Sequence, residues 1–210
     1  MPGHGLDVAA LAKTTRHDWF AAADAALSSI VAECGSPAAI VAESAGGLLA
    51  MRLAASRPRD VTALVLLATP LRLSWRNSML IRLALSIPPV LRPASLSVIP
   101  KPNGPNVSDR ALAAGLHSLG AYPIQALGDL LGLMSDARQW LPRVTQPVLV
   151  VHGDLDAVVP RGQADALVAG LTSSARVTRL DLAGSAHLIA IDRDRDRLAQ
   201  EVIGFLRGRT

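Results

Sequence analysis

One stretch narrows the choice of fold more than any other. It is an apolar run that stops at a serine, with small residues on both sides and a helix-forming run behind it. It reads Ile40-Val41-Ala42-Glu43-Ser44-Ala45-Gly46-Gly47-Leu48-Leu49, and the helical run continues to Ser56. The order is strand, sharp turn, helix, with Ser44 at the apex. A serine at such a turn holds a strained backbone conformation, and bulky residues two places away would collide with the strand or the helix. The helix N-terminus beneath it aims free N–H groups and a partial positive charge at any anion forming there. Taken alone, the same residues also describe a helix start with a serine cap. The serine therefore needs an acid and a histidine in the right order.

The C-terminal half contains both. A β-branched run, Pro147 to Val151, leads into His152-Gly153-Asp154-Leu155-Asp156-Ala157-Val158-Val159-Pro160. A second, alternating strand, Val177 to Leu182, leads into Ala183-Gly184-Ser185-Ala186-His187. The acid and the histidine each follow a strand end, and the chain order is Ser, Asp, His, as in α/β-hydrolases.

Four blocks carry a closer resemblance. They are Pro2-Gly3-His4-Gly5 with Thr14-Thr15-Arg16-His17-Asp18-Trp19, the Ser44 turn, Gly153-x-x-Asp156-x-x-Val159-Pro160, and His187-x-x-x-x-Asp192. The sequence resembles the small microbial carboxylesterases of the α/β-hydrolase superfamily, near the bacterial monoacylglycerol lipases. The resemblance implies a serine carboxylic-ester hydrolase that works through an acyl-enzyme on short- to medium-chain acyl esters, without metal or organic cofactor. Ser44 would be the nucleophile, His187 the general base and acid, and Asp156 the group that orients His187. The Ala45 N–H would supply one oxyanion-hole donor. Asp154 is the rival acid; the Gly-x-x-Asp-x-x-Val-Pro spacing selects Asp156 and leaves Asp154 as a turn residue. Glu43 is expected to be hydrogen-bonded beneath the turn, and His152 to have a structural role beside the acid. Two positions depart from the family pattern: Ala42 and Ala186 stand where glycine is usual.

In the family, Pro2-Gly3-His4-Gly5 follows the fourth strand of the sheet. The resemblance therefore implies that the first four strands are absent, with the loop that gives the second oxyanion-hole donor. Loss of one donor costs on the order of 10²–10³ in rate. An N-terminally truncated, impaired hydrolase or a binding scaffold is thus the alternative reading, and a different reaction on the same fold is a third. The strand Ala38 to Ala42 would then be an open edge, suited to self-association.

Composition closes off other classes. Half of the 210 residues are hydrophobic, enough for a core and too many for a disordered chain. The net charge of +4 comes from scattered arginines, with lysine only at positions 13 and 101. There is no basic stripe with stacking aromatics, which argues against nucleic acid. Cys34 is the single cysteine, so no internal disulfide forms. The most apolar stretch, Ser78 to Pro100, is broken by Arg82, Pro88, Pro89, Arg92 and Pro93, so no integral membrane segment is expected. With no signal-peptide pattern at the start, the expected location is cytoplasmic.

The expected architecture is an α/β parallel-sheet hydrolase core, residues 1–70 and 143–210, with an inserted helical cap at 71–142. Helices are predicted from Thr14 to Cys34, with a capping box at Thr15-x-x-Asp18, and from Arg161 to Leu171. Trp19, Ala22, Ala23, Ala26 and Ile30 are expected on the buried face of the first. The strand ending at Glu43 reads as covered on both faces, and Val61 to Ala68 as a second such strand. Past Pro70 the strand signals vanish, and short helices are predicted at Ser78 to Ser86, Ser108 to Leu119 and Ile124 to Trp140. Met79, Leu80, Leu83, Leu85, Val90 and Leu91 are candidates for an acyl pocket or for cap–core packing. His117 and Tyr122 have no assigned role. Asp192 is expected to cap the last helix, with Leu198, Val202 and Leu206 on its buried face.

Overall fold

The computed structural model describes residues 1–101, 104–116 and 118–208; His117 lies outside them. In chain order the elements are α1 (Val8–Ala12), α2 (Arg16–Cys34), β1 (Ala38–Glu43), α3 (Ala45–Ser56), β2 (Val61–Leu67), α4 (Trp75–Ser86), β3 (Val98–Pro100), α5 (Arg110–Gly115), β4 (Ala121–Pro123), α6 (Ile124–Trp140), β5 (Val148–Gly153), α7 (Gly162–Gly170), β6 (Val177–Leu182) and α8 (Arg195–Leu206). Strands β1, β2, β5 and β6 form one parallel sheet in the order β1-β2-β5-β6. This is the α/β hydrolase architecture that the strand–helix alternation implies.

The sheet is covered unequally. Alternate residues of β2 point to opposite faces, as the two-residue period of a strand requires. Leu64 and Leu66 enter a core built with α2, α3, α6 and α7, through residues such as Trp19, Leu27, Met51, Leu133 and Leu167. Ala63, Val65 and Leu67 face the other way, onto Leu149, Val151, Leu198 and Phe205. Helix α8 therefore covers the second face at β2, β5 and β6. It does not cover β1, where Val41 is 52% exposed. The expectation that this strand is buried on both faces is corrected: its apolar run is covered on one face, and among the described residues β1 pairs only with β2.

Local signals set the helix ends. Thr15 accepts from the Asp18 N–H while the Asp18 carboxylate accepts from the Thr15 N–H, closing a capping box. Gly35 ends α2 at φ 62°, the left-handed conformation that glycine adopts without strain. The buried face of α2 runs through Trp19, Ala23 and Leu27; Ile30 is exposed, and with Ala26 it borders a groove beside β1. At the other end of the chain, Leu206 is exposed and Phe205 fills the core instead. Leu198 and Val202 pack on the sheet as expected, so only the last position of that face differs.

The segment between β2 and β5 differs from expectation in two ways. It contains an antiparallel pair, β3 with β4, although no strand was expected. Both strands are three residues long and proline-bearing, too short to show a period. Helix α6 packs on α2 and α3, and α4 packs on α6 through Ile81, Ala84 and Leu131. Leu85 is partly buried in that contact. Met79, Leu80, Leu83, Val90 and Leu91 point outward instead of lining a pocket or packing onto the core, with Leu83 63% and Val90 89% exposed.

Candidate active site

The turn after β1 brings Ser44 to the C-terminal edge of the sheet. Its backbone lies at φ 54° and ψ −126°, a region that costs a non-glycine residue about 1–3 kcal/mol. Two hydrogen bonds hold it there: the Ser44 N–H donates to the Leu67 carbonyl at 2.8 Å, and the Gly47 N–H to the Ser44 carbonyl at 3.0 Å. The tight position is not Ala42, since a methyl at Gly46 would stand 3.8 Å from the Ala42 Cβ, an ordinary contact. It is Gly47, where any Cβ would overlap Thr69. Ala45 opens α3, so its N–H has no intrahelical acceptor and is available beside Ser44.

The three sequence-predicted side chains meet. His187 Nε2 lies 3.0 Å from Ser44 Oγ, and His187 Nδ1 lies 2.9 Å from Asp156 Oδ2. With Asp156 accepting from Nδ1–H, Nε2 is left as the acceptor facing the serine hydroxyl. The Asp156 side chain is fully buried. Burial works to raise its pKa, but hydrogen bonds from His187 and from the Val158 and Val159 N–H groups outweigh it. The carboxyl is held below the usual carboxylate value, so it remains an anion beside the imidazole.

The other acids and histidines lie elsewhere. Asp154, the rival, pairs with Arg161 at 3.3 Å. Glu43 accepts from the Ala190 N–H at 3.3 Å, and burial raises its pKa. His152 is buried in β5, and desolvation lowers its pKa. Ala186 donates its N–H to Asp192 from ordinary backbone geometry, so alanine fits where glycine is usual. Among the described residues no group of three or more His, Cys, Asp or Glu is placed to hold a metal ion.

Several supporting roles escaped the sequence reading. Asn106 accepts from the His187 N–H at 3.1 Å and from the Ala157 N–H at 3.2 Å, joining the histidine loop to the acid loop. Gly153 separates the same two loops: a Cβ there would meet the Ser185 and Ala186 carbonyl oxygens and lie 2.9 Å from the Ser185 carbonyl carbon. Because those atoms are backbone, the Gly153→Ala change is expected to destabilise the fold by about 3 kcal/mol or more. Urea unfolding would measure it, and an unchanged midpoint would show that the loops can separate freely.

Asp192 does not cap α8. Asp194 holds the N-cap position, and Asp192 is a fully buried hub. It accepts from the Ala186 N–H, from the Ser108 N–H and hydroxyl, and from the Arg193 N–H. Burial raises its pKa, and these hydrogen bonds outweigh that effect, so the folded-state value lies below the unfolded one. Its contribution is therefore present above the unfolded pKa, near 4, and is lost as pH falls through the folded value. The expected result is a drop in melting temperature below about pH 4 that is shallower in Asp192→Asn. Parallel pH curves for the two proteins would count against the hub.

A parallel sheet with Ser44 on a strained strand-to-helix turn, and an acid and a histidine at later strand ends, defines an α/β hydrolase. The chain belongs to the family described as serine aminopeptidase, S33, whose model matches residues 2–194. It is 26% identical over 214 residues to the thermostable monoacylglycerol lipase of Bacillus sp. (strain H-257), covering 98% of this chain and 76% of that one. A solved structure from work on LipS and LipT, two metagenome-derived lipolytic enzymes, aligns with a TM-score of 0.83 at 25% identity, covering 99% of this chain and 79% of that one. A soluble variant of the monoglyceride lipase of Saccharomyces cerevisiae has the same fold, with a TM-score of 0.79 at 16% identity over 100% of this chain and 76% of that one.

Proposed function

We propose that this protein is a serine carboxylic-ester hydrolase of the carboxylesterase or monoacylglycerol lipase type, acting on short- to medium-chain acyl esters. The observation that carries the reading is the continuous chain Ser44–His187–Asp156, at 3.0 and 2.9 Å. The lipase similarity over 98% of the chain supports the ester class. Residues 71–142 are read as a cap inserted in the core.

In this mechanism His187 Nε2 takes the Ser44 hydroxyl proton as Oγ attacks the acyl carbonyl carbon. The Ala45 N–H, at the positive end of α3, stabilises the developing oxyanion. Asp156 stabilises the imidazolium. As the tetrahedral intermediate collapses, the bond to the alcohol oxygen breaks and His187 returns the proton to it. Water then repeats the sequence on the acyl-enzyme, which releases the carboxylic acid and restores Ser44.

Treating the folded chain with a fluorophosphonate and reading its intact mass tests the reading. One adduct, mapped to the Ser44 peptide, is expected. A folded, soluble chain that takes up no label would overturn the assignment.

A further inference from the structure

A cleft of about 100 Å³ opens between α4, α6 and the loop after β2, and its lining includes none of Ser44, Asp156 and His187. Its lining includes Arg72, Arg82 and Arg138, together with Ser78 and Ser135. Among the described residues, none of the three guanidinium groups forms an ion pair. Three like charges around one small cleft repel each other unless an anion joins them. Guanidinium forks also match the geometry of tetrahedral oxyanions.

The scaffold beneath these side chains is ordered. The buried Gln163 accepts from the Leu71 and Arg72 N–H groups at 2.6 and 2.9 Å and donates to the Arg72 carbonyl at 2.7 Å. Ser78 and Arg82 stand one turn apart on α4, and Ser135 and Arg138 one turn apart on α6, which packs against it. Acids are few beside the cleft: α6 carries Asp129 and Asp136, and Asp136 is paired with Arg16. From position 61 to position 108 the sequence has no acidic residue, and Arg72, Arg76, Arg82, Arg92 and Lys101 are its cations. The neighbouring stripe of α4, with Trp75, Met79 and Leu83, is apolar and exposed. An anion in the cleft would therefore sit beside a surface that accepts hydrocarbon.

We propose that Arg72, Arg82 and Arg138 form a binding site for a phosphate-type oxyanion. The group could be free phosphate or the phosphate of an anionic lipid, and the experiment separates the two. Thermal unfolding is followed in inorganic phosphate and in chloride of equal ionic strength. Co-sedimentation is measured with phosphatidylcholine vesicles and with vesicles also containing phosphatidylglycerol. Both are run on the wild-type chain, Arg82→Ala, Arg138→Ala, Leu83→Glu and the distant control Arg197→Ala.

For a free-ion site, phosphate at about ten times its Kd raises the melting temperature by roughly 3–6 °C over chloride. The rise disappears in Arg82→Ala and Arg138→Ala and survives in Arg197→Ala. For a lipid site, sedimentation requires phosphatidylglycerol and shows the same dependence on the variants. The proposal is overturned if neither response occurs or if all the variants respond alike. It is also overturned if vesicle binding survives Arg82→Ala and Arg138→Ala but is lost in Leu83→Glu, since the apolar stripe would then bind without the cleft.

Discussion

Ser44→Ala is expected to lower kcat for p-nitrophenyl butyrate on the order of 10⁶-fold, since a nucleophile and its base act as one unit. The fold should survive. Ser44 makes no capping hydrogen bond through its side chain, and alanine keeps the backbone bonds to Leu67 and Gly47. The positive φ at position 44 is imposed by the turn and is no harder for alanine than for serine. Circular dichroism and melting temperature near those of the wild type would establish that only the hydroxyl was removed. A variant that is folded and still hydrolyses the ester at the wild-type rate would show that another residue carries the reaction.

Asp156→Asn is expected to lower kcat by about 10⁴-fold, the scale seen when the orienting acid of a serine protease triad is made neutral. An asparagine of the same shape can offer its N–H₂ to His187 Nδ1, which selects the tautomer whose Nε2 carries the proton. That nitrogen can no longer accept from Ser44. The buried site also loses the anion that stabilises the imidazolium. Fluorophosphonate labelling should be slowed by a similar factor but still occur at Ser44, because the nucleophile remains. Asp154→Asn is the matched comparison: it removes only an ion pair with the exposed Arg161, and its rate should stay close to that of the wild type. A reversal of the two effects would identify Asp154 as the functional acid.

Much of this arrangement could be read along the chain. β6 and α6 have the residue limits expected from Val177 to Leu182 and from Ile124 to Trp140, because each is a long enough periodic segment. The α2 capping box was legible because both partners lie within one turn, at Thr15 and Asp18. Outside the serine, acid and histidine motifs, residues whose partners are far away were not legible. The Ser108–Asp192 contact spans 84 positions and the Asn106–His187 contact spans 81, and nothing local marks either pair. Asp192 looked like a helix cap because an acid before a helix usually is one, and burial among N–H donors reversed that reading. Gly153 was visible only as a member of the acid motif; its need to be small comes from a loop more than thirty residues later.

The sequence alone determined the four strands of the main sheet and the longer helices between them, their order, and the succession of serine, acid and histidine after strand ends. These follow from side-chain periodicity, steric limits at a turn and capping, all of which act over a few residues. The tertiary structure decided that Asp154, the rival acid, pairs with Arg161 instead of His187, that Asn106 ties two loops together, that β1 is covered on one face, and that three arginines line one cleft. Those outcomes depend on which groups come within hydrogen-bond reach and which lose their water. Both are set by packing between segments remote in the chain.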